Sequence, residues 1–264
     1  MIPRIIHYCW FGGAPLPEKE RQCIESWHKY CPDYEIKQWD ESNYDLNQNE
    51  YIRQAYEAKR WAFVTDYVRL DVIYRYGGIY LDTDVEVVRS LDPLLENCAF
   101  AGMENVDGKQ LSINTGLGFG AERLHPIINE WRAIYQDLSF YQADGTQNLL
   151  TTPARTTAQM EKHGFCQENV KQVVSGMTIY PTEYFSPKQY GCKDISVTPN
   201  TFSIHHYSET WKSPEEKKAA QRWNTLSQIF GSRTADIVCG LYARYEQEGI
   251  SAAIKTILMK VLGR

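Results

Sequence analysis

Trp61-Ala62-Phe63-Val64-Thr65-Asp66-Tyr67-Val68-Arg69-Leu70-Asp71-Val72-Ile73-Tyr74-Arg75-Tyr76-Gly77-Gly78-Ile79-Tyr80-Leu81-Asp82-Thr83-Asp84-Val85 is the stretch that decides how this chain folds. Apolar residues recur at helical spacing as far as Tyr76, and Gly77 is the expected helix stop. Behind the glycine pair, the β-branched and aromatic run Ile79 to Leu81 reads as a buried strand. That strand ends on Asp82 and Asp84. Alternation sends both carboxylates to one face with Thr83 opposite, and Glu86 follows on the same side. Helix, glycine pair, strand and acidic tip form one αβ unit.

A strand pointing into the core cannot end on unpartnered carboxylates, because burying them alone costs far more than neighbouring apolar residues return. Hard oxygen ligands at a strand end suit magnesium or manganese, and such an ion in turn holds a phosphate-bearing substrate. Asp82 and Asp84 are therefore read as a D-x-D metal and diphosphate site. Asp-Thr-Asp is equally good turn chemistry, since short polar side chains bond their own backbone after a strand.

The context carries more than the two aspartates. Ala62-Phe63-Val64-Thr65-Asp66-Tyr67-Val68-Arg69, followed by Tyr76-Gly77-Gly78-Ile79-Tyr80-Leu81-Asp82-Thr83-Asp84, resembles the DXD-containing glycosyltransferases of family 32. This is the group of the yeast initiating α-1,6-mannosyltransferase and the bacterial capsular sugar transferases. The resemblance implies an α/β GT-A fold, with a Rossmann-like, mostly parallel central sheet flanked by helices. It also implies a metal-dependent nucleotide-sugar site and retaining transfer.

Residue by residue, the resemblance makes Asp84 the direct metal ligand, with Asp82 reaching ribose and metal partly through water. Asp66 contacts the nucleoside and Arg69 supports the diphosphate and sugar, a task suited to a planar fork. Read without the resemblance, Asp66 and Arg69 are a surface pair of little worth. Trp10 and Phe11, at the end of a first strand from Arg4, are core aromatics or, by the resemblance, line the nucleoside pocket with Gly12. Asn114 contacts the donor sugar or acceptor, Thr152 stands where the family has Gly, and Trp211 closes over the donor. His206, ahead of His205, completes the metal set. The expected catalytic residues are Asp82, Asp84 and Arg69.

Elsewhere the sequence reads as a helix from Pro17 to Tyr30, a strand from Tyr34 to Asp40, a helix across Glu41 to Lys59, and a strand from Phe100 to Glu104. The α-then-β order of the first pair makes a parallel crossover. Ile113-Asn114-Thr115-Gly116-Leu117-Gly118-Phe119-Gly120-Ala121 reads as a glycine-rich turn without the order of a P-loop or dinucleotide fingerprint. His125-Pro126 is a helix start.

With 264 residues and a formal net charge of −5, the chain is long enough for one large α/β core and is a poor candidate for nucleic acid. Its scattered, odd-numbered cysteines suit a reducing cytosol. Neither a signal peptide nor an 18-residue apolar span is legible, so a cytoplasmic location, peripheral at the inner face of a membrane, is expected. Residues 1–212 form the catalytic domain and 213–264 a helical tail. That tail, with Ile237 to Leu262 at helical spacing beside Arg244, Lys255, Lys260 and Arg264, either rests on a membrane surface or packs on protein.

The function expected is transfer of a hexosyl group from a nucleotide diphosphate sugar, a UDP-sugar by preference, to a saccharide or lipid-linked acceptor in cell-surface polysaccharide synthesis, assisted by manganese or magnesium. The rival readings are a non-catalytic sugar-binding subunit and a haloacid-dehalogenase-like phosphatase.

Overall fold

The structure is a computed structural model, and it describes residues 1–105, 110–188, 194–210 and 214–248. The chain divides into two compact units, Met1–Ser208 and Glu209–Arg264.

In chain order the first unit contains β1 (Ile5–Cys9), α1 (Glu18–Tyr30), β2 (Glu35–Trp39), α2 (Glu50–Glu57), α3 (Trp61–Tyr76), β3 (Gly78–Tyr80), β4 (Val85–Val87), β5 (Ala99–Asn105), β6 (Leu111–Ala121), α4 (Pro126–Ala133), α5 (Thr152–Lys162), β7 (Gln172–Val174), β8 (Met177–Tyr180) and β9 (Ser203–His205). Seven strands form one sheet in the order β2-β1-β3-β6-β5-β8-β7, and β4 and β9 form a separate ribbon. β2, β1, β3, β5 and β8 run in one sense, whereas β6 and β7 run against them. The α/β class with a mostly parallel sheet, expected from the sequence, is the observed one.

Strand alternation divides the core between the two sheet faces. Tyr80, Ala99, Ala101 and Phe119 pack with Val64, Val68 and Trp131 of the helices on one side. Ile6, Ile79, Leu81 and Phe100 pack with Trp27 and Phe185 on the other. Trp27 of α1 is wholly buried, and its indole N–H donates to the Val85 carbonyl at 2.7 Å, which fixes the ribbon against that helix.

α3 spans Trp61–Tyr76 and stops at Gly77 as expected, with φ +68° and its N–H on the Ile73 carbonyl at 2.8 Å. Only a residue without Cβ takes that backbone readily. The helix is buried on most sides, so its charged residues need internal partners. Asp71, wholly buried, is held by Arg132 at 2.9 Å, Arg75 at 3.0 Å and the Tyr44 hydroxyl at 2.8 Å.

Two expectations change. The stretch from Glu41 becomes helical only at Glu50, after a 3-10 turn at Leu46–Gln48, because Asn49 caps the helix by accepting the Ile52 N–H at 3.2 Å. Ile113 to Ala121 is no turn but most of β6, paired to β3 on one side and β5 on the other. Its glycines lower local strand preference, yet they let neighbouring groups approach: a Cβ on Gly120 would lie 2.7 Å from the Gly78 carbonyl oxygen. Contact with other elements overrides propensity here.

His7 of β1 is wholly buried. Its Nδ1 accepts the Trp39 indole N–H at 3.0 Å, so Nε2 carries the proton and donates to the Gly77 carbonyl at 2.9 Å. Burial drives its pKa down from 6.5 to about 4. The folded imidazole is therefore neutral where the unfolded one is charged, and stability falls as pH drops from about 6.5 to about 4. A difference profile of unfolding free energy between the wild type and His7→Gln should lose about 3 kcal/mol across that window. Parallel profiles would remove His7 as the cause.

The second unit contains α6 (Pro214–Phe230) and α7 (Ser232–Glu248), which pack on one another around Gly231. The Arg222 guanidinium lies 3.7 Å from the Tyr242 ring centroid. Lys255, Lys260 and Arg264 lie outside the described residues. No helix among the described residues is long and apolar enough to cross a membrane.

Candidate active site

The carboxyl ends of β1, β2 and β3 meet at one edge of the sheet, which puts Trp10, Asp40 and Asp82 there together. Strand β3 ends at Tyr80, so Asp82 and Asp84 do not lie on a strand as expected. They sit in a turn closed by the Val85 N–H on the Asp82 carbonyl at 3.0 Å, and the Asp82 N–H bonds the Gly116 carbonyl of β6 at 3.1 Å. Turn geometry, not alternation, brings the two carboxylates together. Turn chemistry and site chemistry coexist.

Arg69 projects from α3 beneath that turn. Its Nη2 lies 3.4 Å from Asp66 Oδ1 and 3.4 Å from Asp82 Oδ1, and its Nε donates to the Thr65 carbonyl at 3.2 Å. The side chains of Arg69 and Asp66 are only 7% and 9% exposed, so this pair is internal rather than the weak surface pair that spacing alone suggests. Asp66 also accepts the Thr152 N–H at the start of α5, at 3.2 Å. The Tyr80 hydroxyl donates to Asp82 at 3.0 Å. Burial raises the Asp66 and Asp82 carboxyls against the pull of Arg69, whose own pKa their charges raise despite its burial.

Asp84 faces a different partner. Antiparallel pairing of β4 with β9 sets Val85 opposite His205, and His205 Nε2 lies 3.1 Å from Asp84 Oδ1. The Ser208 N–H donates to Asp84 Oδ2 at 2.7 Å. Although burial pushes the other way, His205 and that N–H hold the Asp84 carboxyl well below its usual range, and the Asp84 charge lifts the His205 imidazole above its own. The histidine beside the aspartates is thus His205, not His206. His206 follows the end of β9, and its Nε2 pairs instead with Glu86 at 2.9 Å. Glu86 is engaged there and does not extend the acidic cluster.

Asn114 lies inside β6 and joins two groups: its Nδ2 donates to Glu104 at 2.8 Å, and its Oδ1 accepts the Gly116 N–H at 2.7 Å. Glu104 and Ser208 join the site with no motif to mark them, and Tyr80 and Gly116, though inside the quoted stretches, have no role legible in the sequence. An alternating carboxylate in a strand or a glycine in a glycine-rich run has no distinctive local signal. Lys188, half-buried, donates to the His206 carbonyl at 3.1 Å and feels the charge of Asp84. Phe11 is buried in the core, whereas Trp10 is partly exposed and donates its indole N–H to the Ala14 carbonyl at 2.5 Å. Trp211 lies outside the described residues.

Asp82, Asp84 and His205 each offer one atom within 4.8 Å of the other two. His205 Nδ1 is buried and makes no hydrogen bond among the described residues. Asp66, Asp82 and Asp84 against Arg69 leave two negative charges when the imidazole is neutral, so the donor set fits a hard divalent cation in both charge and ligand type.

Residues 17–101 match the model of the glycosyltransferase sugar-binding region containing a DXD motif. This segment is similar to that family. The matched region holds α3, Asp66, Arg69, Asp82 and Asp84, and so bears out the resemblance read from sequence. Inositol phosphoceramide mannosyltransferase 3 of Schizosaccharomyces pombe is 35% identical over 139 residues, covering 48% of this chain and 35% of the relative. Mannosyl phosphorylinositol ceramide synthase SUR1 of Saccharomyces cerevisiae is 32% identical over 104 residues, covering 38% and 27%. The chain therefore spans about a third of the length of these curated relatives. Among solved structures, the PaToxG glycosyltransferase aligns at 20% identity with a TM-score of 0.45, over 61% of this chain and 69% of that one.

Proposed function

We propose that this chain is a glycosyltransferase that moves a hexosyl group from a nucleotide diphosphate sugar to a hydroxyl acceptor. The observation that carries the reading is the convergence of Asp82, Asp84 and His205 within 4.8 Å at the sheet edge, inside the family's matched region save for His205. These three residues would hold manganese or magnesium, which supplies charge neutralisation for a departing diphosphate. Arg69, kept charged between Asp66 and Asp82, would orient diphosphate oxygens. Trp10 offers a partly exposed aromatic surface for a nucleobase.

In this reading Asp82 and Asp84 position and do not attack. Asp82 is engaged by Arg69 and Tyr80, and Asp84 by His205 and Ser208, so neither is offered as a nucleophile, and retention by a front-face route is part of the proposal. The sugar–phosphate bond breaks, the acceptor oxygen bonds the anomeric carbon, and the acceptor proton passes to the leaving phosphate. The relatives' names favour mannosyl as the hexosyl group that is moved, from a UDP-sugar or another nucleotide diphosphate sugar. A saccharide or lipid-linked acceptor and a cytoplasmic, membrane-peripheral location complete the proposal.

The test is nucleotide release from a panel of UDP- and GDP-hexoses with manganese or magnesium. Release should stop with chelator and fall about 100-fold or more in Asp84→Asn. A chain that releases no nucleotide from any donor would be the non-catalytic subunit instead. Phosphate release from simple esters would favour the phosphatase.

A further inference from the structure

A cavity of about 380 Å³ opens between the start of β6 and the first turns of α5. Its volume lies in the range of small-molecule sites. Glu104 and Ser112 line it from the sheet, Gln110 from just before β6, and Thr157 and Glu161 from the helix, and no Lys or Arg is among the described lining residues. Thr157 is fixed there, its hydroxyl accepting the Ile113 N–H at 2.8 Å.

Glu104 joins this cavity to the site described above. Only 4% exposed, its carboxylate is held by Asn114 at 2.8 Å, the Tyr207 hydroxyl at 3.3 Å and the Ser112 hydroxyl at 3.4 Å. Asn114 in turn holds the N–H of Gly116, whose carbonyl accepts the Asp82 N–H at 3.1 Å. One continuous set of hydrogen bonds runs from the cavity to the carboxylate turn.

We propose that the cavity is the acceptor subsite and takes a neutral polyhydroxyl ring, a saccharide or cyclitol, one of whose hydroxyls donates to Glu104. The inference rests on the glycosyl-transfer reading and adds where the acceptor sits and what charge it carries. Carboxylates and hydroxyls match the donors and acceptors of a polyol. An anionic group would meet Glu104 and Glu161 with no cation among the described lining residues to compensate it. The ring entering this cavity is therefore free of phosphate on its cavity-facing edge.

Methyl mannoside, methyl galactoside and myo-inositol, each beside its phosphate monoester, would be supplied to the full chain with the metal and the donor selected by nucleotide release. At least one neutral compound should be glycosylated, and its phosphate ester about tenfold less efficiently. Ala158→Trp, which places an indole in the cavity from an exposed helix position, should raise the acceptor KM about tenfold relative to the donor KM. Glu104→Gln should do the same while keeping the side chain's shape. Nucleotide release with no transfer to any of the three, equal use of the phosphate esters, or an acceptor KM that neither variant moves would overturn the subsite. No nucleotide release from the wild type would instead overturn the transfer reading beneath it.

Discussion

Arg69→Met is expected to lower the unfolding free energy by about 3–5 kcal/mol at neutral pH, the usual cost of leaving buried charge without its partner. Methionine fills much of the same space, so the deficit measures charge more than volume. The guanidinium lies 3.4 Å from Asp66 and 3.4 Å from Asp82, and its side chain is 7% exposed. Its removal strands two carboxylates that burial already raises above 3.8. In the variant both rise further, so the folded state binds protons that the unfolded state has released. The deficit should therefore be largest at neutral pH and shrink as pH falls toward the unfolded value. Urea midpoints at pH 7 and pH 5 read this directly. Adding Asp66→Asn and Asp82→Asn to Arg69→Met should recover much of the loss, because no unpaired charge then remains. A deficit below about 1 kcal/mol at neutral pH, unchanged at lower pH, would mean that the ion pairs do not carry stability.

That prediction concerns a part of the molecule largely legible in sequence. The helical run from Trp61, its stop at Gly77 and the strand that follows are all local signals, and the structure reproduces them. The spacing of Asp66 and Arg69 announces a pair, but not its burial, which depends on Thr152 and Asp82 arriving from elsewhere in the chain. His205 and His206 show the limit more sharply. Alternation says that adjacent side chains face opposite ways, yet which one meets Asp84 is set by the register of β9 on β4. β6 was hidden for a different reason. Local preference reads Gly116, Gly118 and Gly120 as a turn, while close packing inside the sheet is what requires them.

Gly116→Ala should accordingly leave the chain folded and remove about 100-fold of the metal-dependent nucleotide release. A Cβ at this position would collide with Asp82 Oδ2, and would lie 3.1 Å from both Arg69 Nη1 and Asn114 Oδ1. Gly116 has no positive φ, so alanine meets no backbone penalty and the conflict is with side chains, the Asp82 carboxylate first. Asp82 must turn away, which shifts it from Arg69 and Tyr80 and breaks its convergence with Asp84 and His205. Overpacking of this kind costs about 1–3 kcal/mol, less than the loss of Arg69, whereas a misplaced ligand costs far more in turnover than in stability. Thermal unfolding beside nucleotide release separates the two effects. Turnover within about threefold of wild type would show that Asp82 can move without consequence, and the donor site would then have to be built on Asp84 and His205 without it.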